Sequence, residues 1–367
     1  MTKSKIKQCM VLALFFSMVY GCHAQSTSEQ IKTLNGKSIA AAKLDSTIKG
    51  IVDSVQVPGL SIAIINDSKT VYHNTFGVSN IETQEPITNE SLFEAASLSK
   101  PLFAYFVMKQ VEKGILDLDK PLYDYLTYPD IAYDDRYKLI TARMVLSHTT
   151  GFPNWRKDDN KDGKLYIKFT PGTDFNYSGE GYQYLAAVVA KINGTDLGGL
   201  DDIFQKEVAR QLKSETLYYN RNDKIEKHKV YGHNENGPTD NAQYDGNTFG
   251  AAYSLHTEAV SYAQFLIAML KKEGLAENSF DEMLKEQVHF KDDNHLKQEV
   301  GQTGWGLGLA QKRTEYGTMH LHTGNNRDFQ AYMMILPERE FGIVFLMNAG
   351  KAIPFIQNLS AIIGPIF

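Results

Sequence analysis

Strand-like segments lie near both ends of this chain, and helix-like segments fill its middle, which restricts the possible folds more than any other feature. Residues 60–65 form a continuous apolar run, and residues 70–78 are rich in β-branched and aromatic side chains after a turn-like segment at 66–69. Four later segments have the same character, namely 305–311, 316–322, 328–336 and 341–347. Strands this far apart predict one sheet that is assembled from both ends of the chain.

Helical periodicity surrounds and interrupts these strands. Apolar residues recur at helical spacing over 38–55 and over 97–111. Thr257 is placed to cap a helix that continues through residue 269, and a final helix is expected at about 353–364. These patterns predict an α+β fold in which a mainly helical middle is an insertion between the strands.

The first 24 residues have the pattern of a secretory signal peptide. A lysine-rich start precedes an apolar run from Cys9 to Tyr20, and small residues follow it. Two processing sites remain open. The segment from Val19 to Cys22 resembles a bacterial lipobox, which would attach a lipid to Cys22, whereas ordinary cleavage would follow Ala24. The protein is therefore expected to be exported, either free in the periplasm or lipid-anchored to the bacterial envelope.

Cys9 and Cys22 are the only cysteines, so the exported part would contain no disulfide and its core must supply the stability. Hydrophobic residues make up 43% of the chain, which is enough for a sizeable core. The net charge is −5, so the chain lacks the excess of basic residues that is typical of nucleic-acid-binding proteins. Residues 25–37 are polar and predict a tether, which leaves residues 38–367 as one domain.

Ser97 and Lys100 are the first candidate catalytic pair. At positions i and i+3 of a helix they share one face, so the lysine ammonium can lie beside the hydroxyl. A serine needs an adjacent base to become a nucleophile, and a desolvated lysine can serve as that base. The backbone N–H groups at a helix start can also stabilise a developing oxyanion. The alternative is an ordinary helix start with a solvated lysine.

Two further segments carry polar side chains suited to the same chemistry. Tyr177 follows a Pro-Gly turn and could relay a proton if a cation lay near it, although an isolated tyrosine is more often a core residue. His322, Thr323 and Gly324 lie at the end of a predicted strand. The glycine would leave room for a substrate beside the sheet, and the alternative is a strand end with a solvent-facing histidine.

A fourth segment, residues 146–153 (LSHTTGFP), is rich in turn-forming residues. We interpret it as structural, with side-chain hydrogen bonds that hold a loop near the insertion. His148 is the member of this loop that a catalytic interpretation would select.

Taken in order, these segments resemble the serine β-lactamase and penicillin-binding protein superfamily, and most of all its class C β-lactamase and D-alanyl-D-alanine carboxypeptidase/esterase branch. The family pattern S-x-x-K, Y-x-N and K/H-T-G is matched by Ser97 with Lys100, by Tyr177, and by 322–324. The loop at 146–153 and the approach at 171–178 also match. The resemblance covers roughly residues 40–365, and four motifs in the family order make it specific.

The resemblance implies an antiparallel sheet flanked by helices, with an all-α region inserted at about 100–250 and the site between them. It implies that Ser97 forms an acyl-enzyme while Lys100 and Tyr177 share the proton transfers. The N–H groups of Ser97 and Asn325 would form the oxyanion hole. No metal or organic cofactor is implied, and the partner would be a small peptide, amide or ester substrate.

Several positions depart from the family pattern or add to it. Gly179 stands where the family has an asparagine that contacts the acylamino group of the substrate, which argues against antibiotic hydrolysis. His322 replaces a lysine, and a histidine there predicts a pH dependence between 5 and 8. Asn325 and Arg327 follow the H-T-G, and Arg327 either pairs with a substrate carboxylate or faces outward. Asn348 is a further candidate for contact with a carboxylate.

Three functions remain open at this point. The first is an exported serine hydrolase of peptides, amides or esters. The second is a class C-type β-lactamase, against which Gly179 is the main argument. The third is a penicillin-recognising binding protein with little turnover, against which the intact Ser97, Lys100 and Tyr177 argue.

Overall fold

A nine-stranded antiparallel sheet forms the centre of the protein in a computed structural model that describes residues 30–159, 162–240 and 248–367. In chain order the strands are β1 (Gln30–Lys32), β2 (Ser38–Ala40), β3 (Gly59–Asn66), β4 (Lys69–Asn80), β5 (Glu85–Pro86), β6 (Phe93–Glu94), β7 (Leu217–Tyr218), β8 (Gly232–Asn234), β9 (Gly237–Thr239), β10 (His256–Thr257), β11 (Val288–His289), β12 (Gly304–Trp305), β13 (Ala310–Thr314), β14 (Gly317–Asn325), β15 (Gln330–Leu336) and β16 (Phe341–Met347). The sheet order is β11-β12-β13-β14-β15-β16-β3-β4-β5, so the last strand pairs with the first long one. The predicted assembly from both ends of the chain is confirmed.

Helices cover both faces of this sheet and fill the insertion. They are α1 (Ala41–Val55), α2 (Ser99–Glu112), α3 (Ala142–Leu146), α4 (Arg156–Asp159), α5 (Gly179–Ile192), α6 (Leu200–Phe204), α7 (Asp223–His228), α8 (Ala259–Lys271), α9 (Glu277–Leu284), α10 (His295–Val300) and α11 (Ala352–Ile363). A 3-10 turn over Ala96–Leu98 leads into α2. Within the described ranges, none of these helices is long and apolar enough to cross a membrane.

The alternation of side chains along β3 divides the core into two layers. Leu60, Ile62 and Ile64 pack in one cluster with residues of α1 and α11. Ala63 and Ile65 point the other way, into the larger cluster that contains α2, α5 and α8. Every residue of β3 is buried, which explains why its sequence is a continuous apolar run rather than an alternating one.

Residues 30–37, expected in the polar tether, instead belong to the folded body. Gln30–Lys32 pairs with Ser38–Ala40, and Ile31 and Leu34 are buried against the α1 and α11 layer. Two apolar side chains are enough to anchor this polar segment, because pairing of its strand satisfies the hydrogen-bonding groups of its backbone. The predicted signal peptide at 1–24, its Cys22 and residues 25–29 lie outside the described residues.

The inserted region at about 100–250 is not all-α, because it also contains β7, β8 and β9. β7 pairs with β10, and β10 pairs with β6, so a small antiparallel sheet joins the insertion to the segment just before Ser97. These strands are two or three residues long, which is too short to leave a period-2 signal in the sequence.

Two local predictions were wrong in detail. The strand expected at 305–311 is two strands, because a turn closed by a hydrogen bond from the Gly306 N–H to the Leu309 carbonyl separates β12 from β13. The helix expected to be capped by Thr257 is capped by Glu258, whose carboxylate accepts from the backbone N–H groups of Val260 and Ser261. A carboxylate at this position also interacts favourably with the helix dipole.

Candidate active site

Ser97 lies in the 3-10 turn just before α2, on a backbone that is held from two sides. The preceding Ala96 has a φ of +50°, which is unusual for a residue with a side chain. On the other side, a Cβ added to Gly324 would lie 2.5 Å from the Ala95 carbonyl oxygen. Glycine therefore lets the end of β14 approach the segment that carries Ser97 closely. The space expected to admit a substrate beside Gly324 is instead occupied by the Ala95 backbone.

Lys100 lies beside Ser97, with 3.2 Å between its Nζ and the serine Oγ. The same Nζ donates to the carbonyl oxygen of Ala252 at 2.8 Å and lies 4.7 Å from the centre of the Tyr177 ring. Only 1% of the lysine is exposed. Burial without a carboxylate partner lowers the pKa of Lys100 well below its usual range, since the charged ammonium is poorly solvated there.

Tyr177 reaches the same point from the loop before α5. Burial of its phenol raises the pKa of Tyr177, and a side-chain hydrogen bond with Ser97 opposes that rise. The phenol therefore keeps its proton at neutral pH and touches the serine hydroxyl. The structure brings together the three side chains that the sequence motifs selected.

His148, which we had interpreted as a loop residue, packs directly against this group. It is fully buried, and its ring centre lies 4.3 Å from that of Tyr177 and 4.9 Å from that of Trp305. Its Nδ1 accepts from the Ser178 N–H at 3.0 Å, so the neutral ring carries its proton on Nε2. Burial, together with the nearby Lys100, lowers the pKa of His148 well below its usual range.

His322 on β14 closes the other side of the cluster and is 3% exposed. Its Nδ1 lies 2.8 Å from the Thr323 carbonyl oxygen, which can only accept, so Nδ1 carries the proton and Nε2 has a free lone pair. Burial, followed by the charge of Lys100, lowers the pKa of His322 to about 3. The expected titration of this histidine between pH 5 and 8 is therefore wrong, because burial keeps the ring neutral over that range.

The remaining residues at the end of β14 form an exposed rim. Thr323, Asn325 and Arg327 are exposed, whereas the intervening Gly324 and Asn326 are buried. The Asn325 side-chain oxygen accepts from the Arg327 N–H at 2.9 Å, which shapes the turn that follows the strand. The side chains expected to contact substrate thus lie at the solvent side of the cluster, with Arg327 facing outward.

Glu94 and Asn326 connect the strand before Ser97 to this turn. The Asn326 side-chain amide donates to Glu94 Oε2 at 2.7 Å and to the Tyr253 carbonyl at 3.4 Å. Burial raises the pKa of Glu94 to about 7, although the hydrogen bond from Asn326 opposes that rise. This pair fixes β6, the 253 loop and the end of β14 relative to one another.

Asn348, a candidate substrate contact, is instead a buried structural residue. Its side-chain amide donates to the carbonyl oxygens of Val78, Ser79 and Tyr231. The side chain is completely buried, so it has no surface to offer a carboxylate. The prediction failed because a buried asparagine that satisfies loop carbonyls cannot be told from a binding residue by sequence alone.

Gly179 is the first residue of α5, and Trp155 covers it. A Cβ added to Gly179 would lie between 2.5 and 2.9 Å from three atoms of the indole six-membered ring. Trp155 could not be predicted from the sequence, because no spacing or periodicity marks it. Two further features of the site were not predicted. Trp305 packs against His148, Tyr177 and His322. The carbonyl oxygen of Ala252 accepts a hydrogen bond from Lys100.

The described residues contain no group of three or more His, Cys, Asp or Glu side chains that could hold a metal ion. A hydroxyl, a buried amine and a protonated phenol meet at one point and are backed by two neutral imidazoles.

Comparisons with known proteins identify the family of this chain. The family model "Beta-lactamase" matches residues 44–359. A beta-lactamase of Providencia stuartii is 24% identical over 90% of this chain and 91% of its own. The mouse mitochondrial serine beta-lactamase-like protein LACTB is 32% identical over 34% of this chain, and the match spans only 23% of that protein.

Solved structures show the same fold. The octameric penicillin-binding protein homologue from Pyrococcus abyssi superposes with a TM-score of 0.73 at 22% identity, covering 88% of this chain and 76% of that one. D-alanine carboxypeptidase AmpC from Burkholderia cenocepacia gives 0.71 at 20% identity, covering 88% and 100%. The mixed fold with one large antiparallel sheet is confirmed, and the chain belongs to the beta-lactamase family, with class C beta-lactamases and penicillin-binding proteins among its relatives.

Proposed function

We propose that this protein is a serine hydrolase that forms an acyl-enzyme at Ser97 and acts on peptide, amide or ester carbonyls. The observation that carries this proposal is the contact between Ser97 Oγ and the fully buried Nζ of Lys100 at 3.2 Å. A serine hydroxyl needs a base within hydrogen-bond reach, and this is the only amine that the described residues bring to it.

Lys100 is the base in this proposal. Its lowered pKa favours the neutral amine, which has a lone pair to accept the serine proton. One N–H is committed to the Ala252 carbonyl, which fixes the direction of the amine relative to Ser97. As Oγ bonds to the substrate carbonyl carbon, its proton passes to Nζ, and the carbonyl oxygen becomes an oxyanion.

Tyr177 is the acid that delivers a proton to the leaving group. Because its pKa is raised, the phenol holds its proton until charge develops on the leaving atom. Collapse of the oxyanion breaks the bond to the leaving group, which takes a proton from Tyr177, and Lys100 returns one to the phenol. Water then attacks the acyl-enzyme, and the same groups run the transfers in reverse.

The oxyanion would be stabilised by the backbone N–H groups of Ser97 and Asn325. The close contact of Gly324 with Ala95 supports this assignment, because it brings the end of β14 to the nucleophile segment. Preorganised donors of this kind give the largest single contribution to catalysis in many acyl-transfer enzymes.

We propose that Ser97→Ala abolishes turnover of 4-nitrophenyl pentanoate, because loss of a nucleophile costs on the order of 10⁴-fold or more in rate. Intact-protein mass spectrometry after brief exposure to the ester should show an acyl adduct on Ser97. Ser99→Ala is the matched control. The Ser99 hydroxyl bonds to the Ala96 carbonyl and the Leu255 N–H, so that variant should still form the adduct.

The same experiments separate the alternatives. Turnover of the Ser97→Ala variant within about tenfold of the original rate would exclude Ser97 as the nucleophile. A stable penicilloyl adduct without product release would indicate a penicillin-recognising binder. Rapid hydrolysis of a chromogenic cephalosporin would indicate a β-lactamase.

We also propose that the protein is exported, on the basis of the lysine-rich and apolar pattern of residues 1–24. The mass of the mature N-terminus tests this. A diacylglycerol-modified Cys22 would show lipid anchoring, a start at Gln25 would show ordinary cleavage, and an intact Met1 in envelope-free extracts would contradict export.

A further inference from the structure

The space beside Gly179 is filled by an indole. An added Cβ at Gly179 would be 2.5 Å from Cη2, 2.7 Å from Cζ2 and 2.9 Å from Cζ3 of Trp155. Such distances are shorter than any real carbon–carbon contact, so a larger residue at position 179 and the observed position of Trp155 exclude each other. Glycine at 179 and tryptophan at 155 are therefore a structurally coupled pair.

Trp155 is held rigidly by its two neighbours in the chain. The Asn154 carbonyl accepts from the N–H groups of both Gly179 and Glu180 at 3.1 Å. Arg156 on the other side bonds to both carboxylate oxygens of Glu180, at 2.9 and 2.7 Å. Because the residues before and after the indole are both tied to the first turn of α5, its position is preorganised.

The indole borders the catalytic cluster. Gly179 is two residues beyond Tyr177, and Trp155 makes an edge-on contact with Tyr253, with 5.6 Å between ring centres and an angle of 81°. Tyr253 directly follows Ala252, which binds Lys100, and its own carbonyl accepts from Asn326. Trp155 and Tyr253, which we call the aromatic wall, thus stand between the start of α5 and the turn after β14, and both are only half-buried.

We propose that Trp155 determines acyl-side specificity, so that the enzyme prefers acyl groups with an apolar chain and disfavours those with an acylamino group. This inference rests on the proposed function, because it concerns the acyl group that Ser97 would receive. An apolar chain laid on the indole is removed from water and gains free energy. An amide in the same place would lose its hydrogen bonds to water and meet a carbon surface.

The test uses two esters of equal chain length, 4-nitrophenyl pentanoate and 4-nitrophenyl N-acetylglycinate. They differ in an amide in place of two methylene groups, so leaving group and length are matched. We expect kcat/KM to favour the pentanoate by about tenfold or more, the size of effect that pocket shape and one unpaired polar group produce. Background hydrolysis is subtracted with the Ser97→Ala protein.

Four variants locate the preference. Trp155→Ala should reduce the ratio of the two kcat/KM values to near one, and Trp155→Phe, which keeps an aromatic face and guards against misfolding, should retain most of it. The double variant Trp155→Ala, Gly179→Asn places an amide in the vacated space and should reverse the preference. Gly179→Asn alone should lower both kcat/KM values, because it collides with the indole.

An equal or reversed ratio in the original protein, or a ratio that Trp155→Ala leaves unchanged, would overturn the inference. If neither ester is turned over through Ser97, the proposed function fails, and binding decides the inference separately. Pentanamide and N-acetylglycinamide are then titrated against the Ser97→Ala protein by ligand-observed NMR. Tighter binding of pentanamide that is lost with Trp155→Ala supports the role of Trp155, and equal binding contradicts it.

Discussion

The buried and exposed halves of the site obey different physical rules, although both include residues of β14. Lys100, His148 and His322 are almost completely removed from solvent, and burial lowers the pKa of each. Thr323 and Arg327 at the rim are exposed. The buried half is therefore suited to proton transfer, because desolvation sets its protonation states, whereas the rim can change its side chains at little cost to that chemistry.

The largest expected effect comes from the buried half. Lys100→Arg keeps a long basic side chain at this position but removes the base, since a guanidinium stays protonated in proteins and has no lone pair to accept the serine proton. We expect kcat/KM for 4-nitrophenyl pentanoate to fall about 10³-fold or more, within the range that a positioned acid or base contributes. Thermal unfolding controls for misfolding, and retention of most activity in a folded variant would exclude Lys100 as the base.

Tyr177→Phe removes the proposed acid while keeping the ring that Lys100 and His148 contact. We expect a loss of about 10²-fold with a nitroanilide, whose leaving group must be protonated. The loss should be clearly smaller with the nitrophenyl ester, because nitrophenolate leaves without a proton. Equal losses with both substrates would assign Tyr177 a role other than that of the acid.

The variant His322→Gln tests whether burial keeps His322 neutral, because the protonation of this histidine affects how the free energy of unfolding depends on pH. The folded protein keeps His322 neutral down to about pH 3, whereas the unfolded chain binds a proton near pH 6.5, so stability falls as the pH drops through 6.5. Between pH 7 and 5 the original protein should lose roughly 2 kcal/mol more unfolding free energy than the glutamine variant. Urea titrations at the two pH values measure this difference.

His320→Gln is the matched control on the same strand, because burial lowers the pKa of His320 to about 4. It should change the pH dependence of stability in the same direction without affecting turnover. The pH profile of kcat/KM between 5 and 8 should keep its shape in His322→Gln. A profile that shifts would show that His322 titrates in this range after all.

Arg327→Ala is the smallest change and probes the rim. For a neutral ester we expect kcat/KM and the unfolding temperature to change little, with less than about twofold in rate, as for most exposed side chains. A loss restricted to substrates that carry a carboxylate would show that Arg327 pairs with that group. Arg327→Lys would then retain part of the activity, because it keeps the charge.

The sequence predicted the parts of the molecule whose patterns are long or chemically specific. β3 and β16 were found because every residue in them is buried, and Ser97, Lys100, Tyr177 and His322 because family motifs mark them. The N-terminal residues Ile31 and Leu34 were missed because two apolar positions in a polar stretch carry no period.

The surroundings of Ser97 could not be predicted, because they depend on contacts between distant segments. Trp155 meets Gly179 because backbone hydrogen bonds tie the loop at 154–156 to α5. Ala252 acts through its backbone carbonyl, which has no sequence signature. Asn348 is an error of the opposite kind, because it was predicted to contact substrate and does not. Its amide could bind a carboxylate, but the side chain is fully buried and donates its hydrogen bonds to backbone carbonyl oxygens.

The pairing of β16 with β3 has a consequence for the order of events during synthesis. The strand at 341–347 pairs with the strand at 59–66, so the central sheet joins residues that are synthesised far apart in time. Contacts so distant in sequence form slowly, since a long loop must close before they contribute. Ser97 is made early and β14 is made late, so the candidate site is complete only after β14 has been made and has packed against the segment that precedes Ser97.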